Sequence, residues 1–442
     1  MTESRNRAVV IGASIAGLLT GRVLSDHFDE VVLLEKSSLS AGSGPRKAVP
    51  QGNHVHMILT PTYRALQQLL PGLVDDLVSN GASVFDAGTD ARVLIFGKAL
   101  ANGQTSQPII GSTRPFFEHH LRQRVGSIEG LEIRPNTRFA NWIFDRDTKR
   151  IRGVVANNGG DEYAVSADLV VDARGRASSL GAELCDLGFE APEVETVGVQ
   201  LTYTSRFFRI NGTSPDWDLL FVPAYAPDMN QGGVISRVEN DAWLVTQFGY
   251  FGDHAPIDDD GFLAFARQLE VPDLADFIAS AEPLSDCRKY GVRDCRMSRY
   301  EKLREFPERM LAIGDTVCNL NPVYGQGMTK AAKEAIFLNT SLTQHMEATG
   351  TLDGFADRFR RELPAVGANW AWRLTTGADM GFRDAIGNRR TLDMLTAQFM
   401  KRLLLRAIHD VDARRQVFDA TMLMIPPRSL LNPRTILHAI GF

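Results

Sequence analysis

The chain opens with a few polar residues and then an uninterrupted apolar run, Ala8-Val9-Val10-Ile11. Such a run suits a strand buried on both faces. Small residues follow from Gly12 to Gly17, and Leu18, Leu19, Val23 and Leu24 then recur at helical spacing before a second run, Val31 to Leu34. The spacing predicts one βαβ unit. A second strand, loop and helix are predicted from Met310 onward, where Met310-Leu-Ala-Ile leads through a loop dense in Gly and Pro to an Ala-rich segment. Between these passages, Val199–Tyr203, Leu219–Val222, Val234–Val238 and Trp243–Tyr250 are β-rich. They are separated by Asn211-Gly212, Gly232-Gly233 and Glu239-Asn240-Asp241, which predicts an inserted sheet, and residues 82–100 are expected to add strands to it. After residue 345 the pattern is helical, with Leu392, Leu395, Phe399, Leu403 and Leu404 on one stripe beside Lys401, Arg402 and Arg406. A packed carboxy-terminal lobe is expected there rather than a membrane-surface helix.

Composition narrows the possibilities. The 442 residues suggest two or three domains at roughly 150 residues each. With 44% hydrophobic and 23% charged residues the chain is neither disordered nor fibrous in composition. Lys and Arg number 48 against 53 Asp and Glu, a net charge of −5 without any block of like charge, so neither nucleic acid nor an anionic membrane is an expected partner. Cys185, Cys287, Cys295 and Cys318 are too dispersed for a disulfide framework or a zinc site. The polar start does not read as a signal peptide, and no apolar run approaches the roughly 18 residues of a membrane span. The expectation is a cytoplasmic protein acting on small molecules.

The first βα turn carries the clearest chemistry. Gly12 permits a tight turn, the small Ser14 lets backbone approach a pyrophosphate, and Gly17 lets the helix pack closely on the strand. Ser14, Ile15, Ala16 and Gly17 begin the helix, whose free amides and positive dipole end suit phosphates. Glu35, followed by Lys36, closes the second strand, where a carboxylate accepts from ribose hydroxyls and repels a 2′-phosphate. FAD or NAD therefore suits the site better than NADP, although a Gly-rich turn of another α/β protein would share part of this pattern.

The later segment decides between dinucleotides. Gly314-Asp315, followed by Asn321-Pro322-Val323-Tyr324-Gly325-Gln326-Gly327-Met328, resembles the second FAD fingerprint of flavoprotein monooxygenases of the para-hydroxybenzoate hydroxylase-like fold. Arg46 to His56 resembles the Arg-x-x-x-Pro-Gln-x-x-His-x-His stretch of a bacterial epoxidase subgroup, and Asp172-Ala-Arg-Gly-Arg-Ala-Ser and Ser112-Thr113-Arg114-Pro115 match further family patches. The resemblance implies a Rossmann-type FAD-binding domain (1–80, 101–182 and 286–345), an inserted β-sheet substrate-binding domain (81–100 and 183–285) and a helical lobe (346–442). It implies FAD contacts from Arg46, Gln51, Arg114, Asp172, Gly314, Asp315, Gly325, Gly327 and Met328. It also sets Pro322, Tyr324 and Gly325 beside the reacting edge of the flavin. The loop's glycines allow backbone to lie against a planar ring, and the following helix start can stabilise negative charge. Asp315 could instead be a simple helix cap, which would leave the flanking glycines unexplained.

His54 and His56 are expected on one face of an extended segment, facing cofactor or substrate. A metal site would need a third ligand that is not apparent nearby. Tyr203, Phe221, Phe248 and Tyr250 on the sheet are candidates for lining a substrate cavity, with plain core packing as the other reading.

No second Gly-x-Gly-x-x-Gly follows a strand, so reducing equivalents are expected from transient NAD(P)H binding or from a partner flavin reductase. The flavin halogenases of this fold carry Trp-x-Trp-x-Ile-Pro, whereas this chain has only Trp370-Ala-Trp372-Arg373-Leu374, which disfavours halogenation. The resemblance implies a monooxygenase that epoxidises or hydroxylates a hydrophobic, polyketide-type natural-product intermediate through a flavin C4a-hydroperoxide. A cyclase that keeps FAD without using its redox chemistry, such as a [4+2] dialkyldecalin-forming enzyme, needs the same fingerprints and stays open, as does a prenyl-chain flavin reductase.

Overall fold

In a computed structural model that describes residues 6–39, 42, 44, 50–227, 229–388, 391–426 and 429, the first apolar run forms β1 (Arg7–Ile11). It is followed by α1 (Ile15–Leu24) and β2 (Glu30–Leu34), which pairs in parallel with β1. Further on, α2 (Arg114–Gly126) leads to β3 (Leu131–Arg134) beside β2, and β4 (Leu169–Asp172) joins the other side of β1. The chain then leaves for β5 (Val194–Arg209), β6 (Leu219–Val222), β7 (Gln231–Arg237), β8 (Trp243–Gly249) and β9 (Arg288–Ser298). It returns as β10 (Met310–Ala312) and continues through α3 (Gln326–Thr349), α4 (Phe355–Val366), α5 (Ala368–Asp379), α6 (Thr391–Ala407) and α7 (Val411–Thr421). The result is a mixed α/β fold with a parallel sheet, a β-rich region and carboxy-terminal helices.

The parallel sheet has the order β10-β4-β1-β2-β3. Its central residues Val9, Val10, Val31, Leu33, Val170 and Val171 are fully buried, which is why these strands read as continuous apolar runs without alternation. Gly12 has φ +106°, and a Cβ there would lie 2.6 Å from the Ala173 carbonyl oxygen. At Gly17 a Cβ would fall 1.8 Å from the Gly12 carbonyl oxygen. Only glycine allows α1 to begin this close to the end of β1.

The larger sheet runs β9-β5-β8-β7-β6, then Ala91–Ile95 and Lys98–Ala99. Its register sets Phe248, Tyr203 and Tyr290 side by side on one face. The other face carries Phe208, Ile235 and Val245, covered by Phe262, Phe265, Leu274 and Phe277 from two short helices. Within residues 82–100, Ala91–Ile95 joins this sheet parallel to β6, whereas Ser83–Asp86 pairs with Pro108–Ser112 in a small sheet shared with His56–Ile58. The strand Arg288–Ser298 runs along β5 through most of its length.

In the helical lobe, the α6 stripe is covered in its second half, where Met400, Leu403 and Ala407 pack with Leu374 and Val417. Leu395 is 57% exposed, because α7 has 11 residues against the 17 of α6 and cannot cover the whole stripe. The side chain of Leu392 lies outside the described residues. Among the described residues, no helix is long and apolar enough to cross a membrane.

Gly17→Ala is expected to lower stability by about 3 kcal/mol, because the new methyl meets backbone that cannot yield. Urea unfolding at matched protein concentration measures this, and a loss below about 1 kcal/mol would show that the turn can relax.

Candidate functional site

Two loops at the carboxyl ends of the parallel strands meet beside the large sheet. At the first, Ser14 occupies the position before α1 in extended conformation but does not cap the helix with its side chain. Its hydroxyl donates to Glu118 Oε1 at 2.7 Å and accepts from Arg114 Nη2 at 3.1 Å. The opening amides of α1 are thereby left without a side-chain cap, and a helix start of this kind attracts phosphate through its N–H groups and dipole. Glu35, 6% exposed at the end of β2, accepts from the Ala13 and Ser37 amides at 3.2 and 3.0 Å, while Lys36 is exposed beside it. Arg114 is ion-paired with the buried Glu118 at 3.0 Å. The preceding Thr113 donates its amide to Glu239 at 2.8 Å, so this patch ties the parallel domain to a turn of the large sheet.

The second loop is fixed by buried charge. Gly314 has φ +62°, and a Cβ there would meet the Ala16 side chain at 2.9 Å. Its amide donates to Glu334 Oε2 at 2.7 Å, and Glu334 pairs with Lys330 at 3.2 Å, the two side chains being 2% and 1% exposed. Burial raises the Glu334 carboxyl against the pull of Lys330. Burial alone would lower the Lys330 ammonium, but Glu334 and Asp315 hold it above its ordinary value. Asp315 is exposed in a cleft of about 440 Å³ with Gly175, Arg176, Tyr300 and Asn319. Asp172 is fully buried and accepts from Arg174 and Ser178, each at 2.7 Å. Arg174 also reaches Glu183 and lies 4.5 Å over the Phe139 ring. Asp172 therefore braces the end of β4.

Beyond Asp315 the chain turns through Pro322–Tyr324, and Gly325, at φ +66°, ends that turn and precedes α3. This helix also lacks a side-chain cap, Gly327 faces open space, and Met328 is half-buried. Pro322 is exposed, whereas Tyr324 turns inward and donates to Asp379 Oδ1 at 2.9 Å. Asn321 Nδ2 donates to the same oxygen at 2.9 Å and to the Tyr250 hydroxyl at 3.0 Å. Asp379, the last residue of α5, is 2% exposed. Burial raises its carboxyl to about 7, against the opposing Asn321 and Tyr324 bonds.

The wall opposite is the aromatic row of the large sheet. Tyr203 and Phe248 are buried with ring centroids 6.0 Å apart, and Phe221 is half-buried 6.3 Å from Phe248. His54 is 3% exposed and lies 5.5 Å from Tyr203 and 5.9 Å from Tyr290. Its Nδ1 meets Ser205 Oγ at 2.6 Å, and burial and the neighbouring His56 push the imidazole down to about 3, so it is neutral. His56 does not share this environment. The chain bends at His54 and becomes extended only at His56, whose ring is half-buried near Arg114 and Glu118 and is held at about 4 by burial and Arg114. The expectation of one shared face fails because of that bend. Gln51 is half-buried on the Pro50–Asn53 turn, and Arg46 lies outside the described residues.

The fold thus assembles Gly12 to Gly17, Glu35 and Arg114 at one loop, Gly314, Asp315 and Gly325 to Met328 at the second, and His54, Tyr203 and Phe248 at the wall. Sequence reasoning missed Asp379, Tyr290, Glu118 and the Lys330–Glu334 pair. A signal for Asp379 was present, since it follows Ala368, Trp372 and Thr375 at helical spacing on a buried face. Among the described residues, no three His, Cys, Asp or Glu side chains form a metal-ligand group. FAD fits the arrangement observed: two uncapped helix starts, glycines where side chains would collide, and a braced carboxylate at the end of β2.

Residues 5–366 match a family model described as an FAD binding domain. The chain is 32% identical over 351 residues to Protein Rv3254 of Mycobacterium tuberculosis, covering 76% of this chain and 73% of that protein. It is 24% identical over 380 residues to kynurenine 3-monooxygenase of Salinispora arenicola, covering 80% and 76% respectively. Among solved structures, PqsL, a probable FAD-dependent monooxygenase from Pseudomonas aeruginosa, superposes with a TM-score of 0.62 at 16% identity, covering 94% of this chain and all of that one.

Two outcomes are expected from the buried charges. Lys330→Met strands the Glu334 carboxyl in the core and should cost about 3 kcal/mol in urea unfolding, whereas Gly327→Ala, placed in open space, should leave the same midpoint nearly unchanged. For Asp379, a carboxyl raised from 3.8 to about 7 on folding gives stability that is complete below about pH 4 and declines as pH rises toward 7. The stability of wild type relative to Asp379→Asn should fall across that window, and a flat difference would show that the carboxyl is not shifted.

Proposed function

The chain belongs to the FAD-binding-domain family, and from that premise we propose that it is an FAD-dependent monooxygenase. In this reading it epoxidises or hydroxylates a hydrophobic, polyketide-type intermediate. Bound FAD, reduced by NAD(P)H or by a partner reductase, supplies the activation of dioxygen. The balance is substrate, O₂, NAD(P)H and one proton giving oxygenated substrate, NAD(P)⁺ and water. The observation that carries the reading is the tie from Asp379 to Tyr324: a buried carboxyl that titrates near neutrality, bonded to the loop assigned to the flavin edge. A reaction that takes up a proton in each turnover has a use for such a group, whereas a redox-silent cyclisation has none.

The chain's own residues divide the remaining work. The first amides of α1 take the pyrophosphate, Glu35 the adenosine ribose and Asp315 the ribityl chain. The amides at Gly327 and Met328 take the pyrimidine edge, where the start of α3 stabilises negative charge. Because Asn321 and Tyr324 both donate to Oδ1 of Asp379, the proton taken up by that carboxyl resides on Oδ2. Phe248, Tyr203, Tyr250 and Phe221 give the substrate an apolar chamber that keeps water from the reacting atoms.

The test follows the oxygen. Holoenzyme reduced with NADPH or by light is mixed with ¹⁸O₂ and a panel of conjugated polyenes and fused aromatics, and products are read by mass spectrometry. One labelled atom in a product is expected, with a turnover profile that titrates near pH 7. Asp379→Asn should slow turnover about a hundredfold and abolish that titration. Recovery of all oxygen as hydrogen peroxide with every ligand that binds, alongside cyclised product from oxidised holoenzyme, would replace this reading with the redox-silent cyclase.

A further inference from the structure

Among the described residues, two buried polar atoms beside the aromatic face of the large sheet have no hydrogen-bond partner: His54 Nε2 and the Tyr203 hydroxyl, on residues 3% and 7% exposed. Their rings are neighbours, with centroids 5.5 Å apart and planes tilted by 31°. A buried donor without a partner is unfavourable, and native folds retain few of them without a role.

The hydrogen bonds behind His54 set its tautomer. Val55 N–H donates to Thr246 Oγ1 at 2.9 Å, Thr246 and Ser205 hydroxyls meet at 2.6 Å, and Ser205 meets His54 Nδ1 at 2.6 Å. Of the two directions this relay allows, the one in which Thr246 donates to Ser205 and Ser205 donates to Nδ1 is the one that keeps both hydroxyl hydrogens bonded. The one proton of the neutral imidazole is then on Nε2, an assignment made from the bonding pattern. His54 thus presents a fixed N–H beside the Tyr203 O–H.

Burial, with Cys295 and Asp379 close by, holds the Tyr203 phenol well above its ordinary value. Tyr203 therefore stays protonated and can donate, and a neutral acceptor avoids burying a ligand charge in this apolar surround. The flat row of Phe248, Tyr203 and Tyr290 suits a planar body.

We propose that His54 and Tyr203 form a subsite for a neutral carbonyl oxygen on a flat, conjugated ligand, the Nε2–H and the phenolic O–H each donating to that oxygen. This rests on reading the chamber as the substrate site and narrows the substrate to ketones of that shape.

The test compares two probes of one shape, 2-acetylnaphthalene and 2-isopropenylnaphthalene, binding to oxidised holoenzyme. Binding is followed by calorimetry and by perturbation of the flavin absorption. Isotope-edited infrared spectroscopy reads the ¹³C-labelled carbonyl of the ketone. Wild type should bind the ketone about tenfold tighter than the alkene, the scale of one or two buried hydrogen bonds, and the carbonyl stretch should move to lower frequency. Tyr203→Phe should remove most of that preference and part of the frequency shift, leave alkene affinity within about twofold, and leave the unfolding midpoint unchanged or raised, since its hydroxyl bonds no protein group. His54→Phe should remove the preference likewise. Equal binding of the two probes to wild type, an unshifted carbonyl, or a preference that survives both substitutions overturns the subsite. Neither readout needs turnover, so failure here and failure of the oxygenation reading are separately visible.

Discussion

The distance between the first turn of α1 and the carbonyl of Gly12 governs the rest of the molecule. A side-chain carbon at residue 17 would lie 1.8 Å from that carbonyl oxygen, so the contact is backbone against backbone. With α1 drawn in this far, the Ala13 amide reaches Glu35 at the end of β2, and Ser14 reaches Arg114 and Glu118 on α2. The same closeness brings Ala16 against Gly314, where the second loop would collide with any side chain. One steric condition therefore accounts for small residues at Gly12, Ala16 and Gly17 and, far along the chain, at Gly314. It also joins the two loops into a single surface.

The large sheet serves this surface by having two unlike faces. One is covered by Phe262, Phe265, Leu274 and Phe277. The other, with Tyr203, Phe248 and Tyr290, looks toward the loops and carries hydroxyl groups and the His54 ring among its aromatic carbons. Apolar burial alone would not distinguish the faces, since both are shielded from water. What distinguishes them is how the hydrogen-bonding groups are satisfied: on the covered face Thr204 and Gln247 bond the carbonyls of Ala255 and Phe262, and in a medium of low dielectric each such group needs a defined partner. Asn321, Tyr250 and Tyr324 find theirs around Asp379.

Much of this was legible in the sequence, and the limits have physical causes. The parallel strands announced themselves because burial on both faces removes alternation, and the glycine positions because no other residue permits their geometry. The role of Asp379 was harder to read despite its helical spacing, since an acid at the end of a helix usually means a solvated terminus, and its burial depends on a loop more than fifty residues earlier. Lys330 and Glu334 illustrate the same point, because their i,i+4 spacing normally marks an exposed helix face. Here that spacing lies on the buried stripe shared with Ala331, Leu338 and Leu342, and the pair fixes the Gly314 amide instead. The shared face expected of His54 and His56 rested on continuous extension, which a single bend removes.

The carboxy-terminal lobe looks dispensable by sequence, since it lies beyond both fingerprints, but the contacts argue otherwise. Gln326 Nε2 donates to the Thr421 carbonyl at 2.7 Å, and Lys333 Nζ to the Leu423 carbonyl at 2.8 Å, anchoring the start of α3 to the end of α7. From the other side, α5 delivers Asp379 to Asn321 and Tyr324. The loop from Asn321 to Gln326 is therefore held by the lobe at both ends, and its placement against the sheet cannot be specified by the parallel domain alone. A chain with intact fingerprints and an altered lobe would keep the glycine geometry that suits a dinucleotide while losing the register of Tyr324. The glycine geometry of the first fingerprint and the placement of the Asn321 to Gln326 loop are for this reason separate properties, carried by different parts of the chain.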